Sequence, residues 1–365
     1  MRIAVVAPLV SPIVEPQMGG SQALLADLAR GLAERGHGVR VVAASGSRID
    51  GVEVVDTGVD PETLRSSLFR VGGGVGDAGA VREAFAVAAD AARAGRPDVV
   101  HVHAFDAPAV DAVAAIGVPT VQVLHLPPTD DVASAARRAA GPSFALVTVS
   151  EAMRAAWEGA GVEAGVIRNG IRVDRIPFRA DGGTGVLFAG RLSPEKGALD
   201  AIGIAGRAGV PLTIVGQPYD ERHALDVRRR AAEAGFDMLD PVPRDDLWRL
   251  MGAARAVLCP VQWDEPFGLV AAESQAAGTP VVGYRRGALG EVVREGVTGV
   301  LVEEGDVEAA ARALAAVGSF DRSAVRRHAE EHLGLGAMVD AYERLSADLA
   351  ADAGVRGAAT AGGPR

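Results

Sequence analysis

Short apolar runs alternate with amphipathic stretches along the first half of the chain. Ile3–Ala7, Val39–Ala44, Val99–Val102, Thr120–Leu124 and Ala145–Val149 are Val-rich and bounded by Gly, Pro or Asp. Continuous apolar runs of this kind suit parallel strands buried on both faces. Between the first two, Ser21–Arg35 sets Leu24, Leu25, Leu28 and Leu32 on one stripe at helical spacing. Ser21 is the predicted N-cap of that helix and Gly36 its stop. Strand, helix and strand in that order form a βαβ unit, and its repetition predicts a doubly wound α/β sheet.

The pattern restarts after Arg168–Gly185, a Gly-, Arg- and Asp-rich stretch that reads as a linker. Val186–Ala189, Leu212–Val215, Ala256–Pro260, Val281–Gly283 and Val300–Val302 are the second set of strands. Helices near Ala198–Ala208, Glu221–Ala234, Arg244–Ala254, Leu269–Ala277 and Val307–Val317 separate them. Two Rossmann-like α/β domains follow, over residues 1–172 and 173–335, expected to face each other across a cleft. A last helix over residues 336–352 is expected to pack back across the junction. Residues 353–365, small and Gly-rich, read as a disordered tail. The stretch Asp60–Arg96 reads as irregular because Val71–Gly76 carries too many glycines for a strand interior. It reads equally as a lid over an acceptor site or as a surface insertion.

Composition narrows the class. Hydrophobic residues make up 48% of 365 residues, enough for real cores. No apolar run approaches the roughly 20 residues of a membrane span. The start of the chain shows no basic leader or cleavage site, so no signal peptide is expected. The one cysteine, Cys259, reads as a buried apolar residue and fits a cytoplasmic protein. Lys and Arg total 37 against 47 for Asp and Glu, a net charge of 37 − 47 = −10. That balance argues against general binding to nucleic acid or an anionic membrane. Only one of those basic residues is a lysine, Lys196, and the chain has a single asparagine, Asn169. In a sequence so depleted of both, each survivor is either a chance remnant or a residue that chemistry retained.

Three clusters carry candidate chemistry. Met18-Gly19-Gly20-Ser21 follows the first strand and opens a helix, where glycines admit a ligand and free N–H groups favour an anion. It lacks the full G-x-G-x-x-G spacing, and a lone Gly-Gly pair reads first as a plain turn. Ala189–Gly197 holds Arg191 and Lys196 on one βα loop, where a planar fork and a compact ammonium suit a diphosphate. No G-x-x-x-x-G-K-[ST] sequence occurs, which argues against nucleotide hydrolysis. Asp264–Glu273 follows a strand and opens a helix. There Gly268 permits close approach, and the N–H groups of Leu269 and Val270 suit phosphate oxygens. Glu273, about one turn in, suits a vicinal diol, and Glu265 reaches another part of the same ligand. Trp263 lines that pocket or packs its loop.

The histidines divide. His125 ends a predicted strand, where ligands of α/β sheets bind. His101 and His103 share a strand face without a Cys or carboxylate at ligand spacing, so no metal site is expected there. His37, His223, His328 and His332 read as surface residues.

Glu265 and Glu273 form an E-x7-E spacing, and the chain around them resembles the retaining GT-B glycosyltransferases of family 4. The resemblance extends through Ala276-Ala277-Gly278-Thr279-Pro280-Val281-Val282 and Glu291–Gly299. Gly190-Arg191 with Lys196-Gly197, Arg168-Asn169-Gly170-Ile171 with Asp174, and Val147–Glu151 also match, as do Gly19-Gly20 and Leu124-His125. Departures are Ser274-Gln275, where Ala-Met is usual, and Gly287-Ala288, where Gly-Gly is usual.

The resemblance implies an NDP-sugar, most simply a UDP-sugar, on the second domain and the acceptor on the first. It implies that Arg191 and Lys196 neutralise the leaving diphosphate. Glu273 would hold the ribose and Glu265 the sugar hydroxyls, and Gly268, Leu269 and Val270 would line the donor. His125 would face the sugar near the reacting carbon, and Gly19 and Gly20 would lie against the diphosphate. Same-face attack needs no side-chain nucleophile, and no metal or other cofactor is implied. The scatter of Arg65, Arg70, Arg82, Arg93 and Arg96 among acidic and glycine residues favours a soluble small-molecule acceptor, as in natural product biosynthesis, over a lipid. An NDP-sugar epimerase or hydrolase, a non-catalytic nucleotide-sugar-binding protein and, more weakly, a dehydrogenase are the alternatives.

Overall fold

A computed structural model describes residues 1–16, 19–62, 64 and 78–361, excluding the side chains of 354–361. The chain divides into two compact units. The first comprises Met1–Val14, Ser21–Arg168 and the chain from Gly336; the second comprises Glu15–Gly20 and Asn169–Leu335.

The first unit is a seven-stranded parallel sheet in the order β3-β2-β1-β4-β5-β6-β7. Its strands are β1 (Arg2–Val6), β2 (Gly38–Ala43), β3 (Glu53–Asp56), β4 (Val99–Val102), β5 (Thr120–Leu124), β6 (Phe144–Thr148) and β7 (Gly165–Val166). Connecting helices are α1 (Gly20–Glu34), α2 (Ala78–Ala94), α3 (Ala107–Ala115), α4 (Asp130–Ala139) and α5 (Glu151–Gly159). β1 pairs with β2 through Val5↔Val41 and with β4 through Val5↔His101. Sequence order reverses between β1 and β4, the switch point at which doubly wound sheets bind ligands. Every residue of β4 and β5 is buried, His101, Thr120 and Gln122 included, as in strands covered on both faces.

The expectation of irregular structure over Asp60–Arg96 is corrected in part. Ala78–Ala94 is a helix burying Val81, Ala84, Phe85, Ala88, Ala89 and Ala92, an Ala-rich stripe easily passed over beside the glycines. The glycine run Val71–Gly76, Arg65 and Arg70 lie outside the described residues.

The second unit holds β8 (Val186–Ala189), β9 (Leu212–Val215), β10 (Asp237–Leu239), β11 (Ala256–Cys259), β12 (Val281–Tyr284) and β13 (Gly299–Val302). All are parallel, in the order β10-β9-β8-β11-β12-β13, with the reversal between β8 and β11. Its helices are α6 (Ala198–Ala208), α7 (Glu221–Glu233), α8 (Arg244–Ala253), α9 (Leu269–Ala276), α10 (Leu289–Val292), α11 (Val307–Val317) and α12 (Arg322–His332). Phe188, Ile204, Ile214, Leu258, Val282 and Leu314 form its core. Each fully buried aliphatic side chain contributes about 1.5–3 kcal/mol.

Asn169 opens this unit. Asn-Gly pairs favour a left-handed turn, but Asn169 does not adopt one: Arg96 is the only non-glycine with positive φ among the described residues. Asn169 is instead buried, and Gly170 is required by crowding, because a Cβ there would lie 2.7 Å from Leu335 Cα.

The last helix, α13 (Leu335–Ala361), runs beyond the expected end at 352 and through most of the expected tail; residues 362–365 lie outside the described ones. It is tied to the first unit by ion pairs of Arg35 with Asp340 and Glu343. His37 Nε2 adds a bond to Glu343 at 2.9 Å. His37 is therefore not the surface residue it was expected to be. His328, whose Nδ1 meets Gln275 Oε1 at 2.9 Å, and His223, whose Nε2 is buried, are half-buried. His332 is exposed as expected.

Candidate active site

Two neighbouring strands of the second unit deliver the charged residues. β8 ends at Ala189 and β11 at Cys259, side by side at the switch point through Leu187↔Val257. The chain leaving β8 runs through Gly190 and Arg191 into a 3-10 turn, Pro194–Lys196, and then Gly197. Gly197 has φ +74, and a Cβ on it would fall 1.8 Å from Pro260 O. No other residue fits there, so the loop bearing Lys196 is clamped against the strand end that leads to Glu265.

Lys196 Nζ lies 2.6 Å from Glu265 Oε2, and their side chains are only 18% and 13% exposed. Trp263 Nε1 donates to the same Oε2 at 2.7 Å, and Lys196 Nζ stands 4.6 Å from the Trp263 ring centroid. Trp263 thus does more than pack the loop: it braces both partners of the ion pair. Arg191 pairs with Glu195 at 3.1 Å and stacks over Tyr219 at 4.6 Å. Glu195 Oε1 also accepts from Ser193 Oγ at 2.6 Å. Both cations are partnered by carboxylates and both sit over aromatic faces, which suits their removal from bulk water.

α9 begins at Gly268, whose φ is +95. The first bond along the helix is from Ala272 N to Gly268 O at 3.0 Å. The N–H groups of Leu269 and Val270 therefore have no acceptor within the helix, the arrangement that attracts anions. Glu273, one turn on, is buried and bonded at 2.9 Å to Arg244, whose guanidinium lies 4.9 Å from the Trp248 ring centroid. Arg244 was missed in the sequence: nothing in its spacing points across 29 positions to Glu273. Gly20 opens α1 and groups with the second unit, and a Cβ on it would lie 2.8 Å from Leu269 Cδ1. Gly19 precedes it.

The structure therefore brings together Arg191, Lys196, Glu265, Gly268, Leu269, Val270 and Glu273 at one strand edge of the second unit. His125 belongs to the first unit, just past the end of β5. It is buried, and burial pulls its ring down to about 4, so the imidazole is neutral at pH 7. Its Nε2 lies 2.9 Å from Nδ1 of His103, a contact the sequence did not disclose. Cys259, at the end of β11, is buried as expected. Burial, then the Glu265 charge, pushes its thiol up to about 12. Among the described residues, no group of three His, Cys, Asp or Glu has the placement to hold a metal. No described helix is long and apolar enough to cross a membrane.

Two family models match successive parts of the chain. That described as Glycosyltransferase Family 4 covers residues 18–175, and that described as Glycosyl transferases group 1 covers 174–328. A glycogen synthase of Mycobacterium tuberculosis is 34% identical over 270 residues, which span 64% of this chain and 63% of that protein. The chain thus matches less than two thirds of that relative's length. A D-inositol 3-phosphate glycosyltransferase of Acidothermus cellulolyticus is 30% identical over 369 residues, covering 84% of this chain and 80% of its own. Among solved structures, AviGT4, a glycosyltransferase involved in avilamycin A biosynthesis, superposes with a TM-score of 0.68. It is 26% identical and covers 96% of this chain and 98% of its own. Anabaena HepE in complex with UDP-glucose superposes at 0.74, with 19% identity over 95% of this chain and 100% of its own.

Proposed function

Because the chain belongs to glycosyltransferase family 4 and has the GT-B fold, we propose that it transfers a sugar from an NDP-sugar to an acceptor hydroxyl with retention of anomeric configuration. The donor in this reading is a UDP-sugar and the acceptor a soluble small molecule. The observation that carries it is the Lys196–Glu265 pair at the switch point, beside the open N-terminus of α9. A cation, a sugar-binding carboxylate and unpaired N–H groups converge there on one strand edge.

The division of labour follows from the chemistry. As the anomeric C–O bond to phosphate breaks, negative charge grows on the leaving diphosphate. Arg191, Lys196 and the α9 N–H groups meet that charge with dipoles already oriented. Glu265 Oε2 is engaged by Lys196 and Trp263, which suits hydroxyl binding and not nucleophilic attack. The acceptor oxygen bonds to the anomeric carbon on the face the phosphate leaves, and its proton passes to a phosphate oxygen. No side-chain nucleophile and no metal enters this scheme. Glu273, held by Arg244, accepts the two ribose hydroxyls, and Gly19 and Gly20 leave room for backbone against the diphosphate. His125, in the first unit, is a neutral imidazole. The HepE complex with UDP-glucose supports a UDP-sugar donor, and the AviGT4 likeness supports a natural-product acceptor. A single buried cysteine supports a cytoplasmic setting.

The test is a thermal-shift panel of UDP-, GDP-, ADP- and TDP-sugars, followed by acceptor screening and NMR of the product anomer. A UDP-sugar that raises the melting temperature and yields a product of unchanged configuration supports the reading. Turnover of the donor without acceptor would show an epimerase or hydrolase instead, and binding without any turnover a sensor.

A further inference from the structure

His125 has one nitrogen engaged and one open. Its Nε2 faces His103 Nδ1 at 2.9 Å. Among the described residues its Nδ1 has no hydrogen-bond partner. Both rings are buried and neutral at pH 7: burial lowers both, and the neighbouring His125 and His101 lower His103 further. One proton therefore lies between the two facing nitrogens, and it can belong to either.

The far side of His103 decides between the two arrangements. Among the described residues its Nε2 is buried without a partner. If His125 Nε2 held the shared proton, His103 would carry its own proton on that orphaned Nε2. A buried N–H with no acceptor is among the rarest and costliest defects in a fold. If His103 Nδ1 holds the shared proton, the orphaned atom is a lone pair. The neighbouring His101 has its tautomer fixed independently. Ser346 Oγ gives its only proton to Tyr342 O at 2.6 Å, so it must accept from His101 Nε2 at 2.8 Å. His101 is thus protonated on Nε2, and its buried, unpartnered Nδ1 is a lone pair. The cluster already tolerates an orphaned lone pair at the next inward-facing ring. Tyr342 of α13, with ring centroids 5.4 Å from His101 and 6.2 Å from His103, packs both in place.

We propose that His103 is a positioning residue that fixes His125 as its Nδ1–H tautomer, so that the site histidine presents a neutral hydrogen-bond donor and not a base. The catalytic meaning of this rests on the reading of His125 as a site residue; the tautomer does not. A donor at Nδ1 can hold a sugar hydroxyl or a phosphate oxygen but cannot take the acceptor's proton, which leaves the departing phosphate to do so.

The tautomer is read directly by long-range proton–nitrogen NMR of the imidazoles in the unmodified 15N-labelled chain. The expected result is a proton on Nδ1 of both His103 and His125. A proton on His125 Nε2 overturns the proposal. Kinetics supply the second arm. His103→Phe removes the donor and is expected to lower kcat by roughly ten- to a hundredfold. His103→Asn, whose amide N–H replaces Nδ1–H, is expected to recover most of that loss. In a His125→Ala background, His103→Phe is expected to add nothing. If it costs as much there as in the parent, His103 acts on its own and is not positioning His125. If His125→Ala alone transfers normally, the assignment of His125 to the site fails, and the NMR result still decides the tautomer.

Discussion

Replacing Lys196 with arginine keeps the charge, and in a chain where every other Lys or Arg is arginine it should be harmless on composition alone. The structure predicts otherwise. Lys196 Nζ sits 2.6 Å from Glu265 Oε2 and 4.6 Å from the Trp263 ring centroid, with its side chain only 18% exposed. The backbone behind it cannot retreat, because Gly197 is already pressed on Pro260. A guanidinium is planar, wider and longer than an ammonium, so it must displace Trp263 or leave Glu265. Overfilling a packed site costs about 1–3 kcal/mol, and losing a charge-assisted hydrogen bond about 1.5–3 kcal/mol. If about 1.5–3 kcal/mol of that is lost in the transition state, kcat/KM for the donor falls by roughly 10- to 150-fold. The assay is initial-rate transfer at varied donor, with thermal melting and UDP titration as controls for folding and binding. Lys196→Arg within about twofold of the parent would refute the argument, and the survival of the lone lysine would then be chance.

Three further outcomes follow from the same geometry. Arg244→Ala strands the buried Glu273 carboxylate and is expected to cost about 2 kcal/mol or more in urea unfolding; adding Glu273→Gln should return much of it, and strict additivity would show that the pair is not coupled. Gly197→Ala is expected to destabilise by more than about 3 kcal/mol in the same assay, against about 1 kcal/mol for Gly209→Ala, whose φ is +64 with nothing within 4 Å. Equal costs would mean that left-handed strain alone, and not the Pro260 contact, fixes the loop. Asp106 is buried, its Oδ2 unpartnered among the described residues, and burial, then the Asp131 charge, pushes its carboxyl up to about 7. A raised folded value means stability is fully present below the unfolded value near 4 and lost as pH climbs through about 7. Asp106→Asn should therefore melt higher than the parent at pH 8, with the gap closing towards pH 4; a gap independent of pH would contradict this.

The alternation of buried strands and amphipathic helices, the two-fold restart of that alternation and the E-x7-E spacing were all legible in the sequence. Each depends on neighbours within a few positions: strand period, helix stripe, a glycine at a helix start. The short strands β3, β7 and β10 were not: β7 and β10 have two and three residues, and β3 has four with charged, exposed ends, so none shows a continuous apolar run. They are recognised only by pairing with the strand beside them. α2 was masked by the glycines that precede it.

The site divides along the same line. Its separate pieces were visible: Arg191 and Lys196 on one loop, Glu265 and Glu273 on another. That Lys196 and Glu265 meet across 69 positions follows from β8 and β11 being sheet neighbours. The same kind of folding places Arg244 on Glu273, and His103 against His125 through the pairing of β4 with β5. The sequence alone determined most of the longer strands and helices and which residue types stand at their ends. Tertiary structure decided which ends lie together, because parallel pairing joins segments a whole βαβ unit or more apart and strand order is not written in any local period.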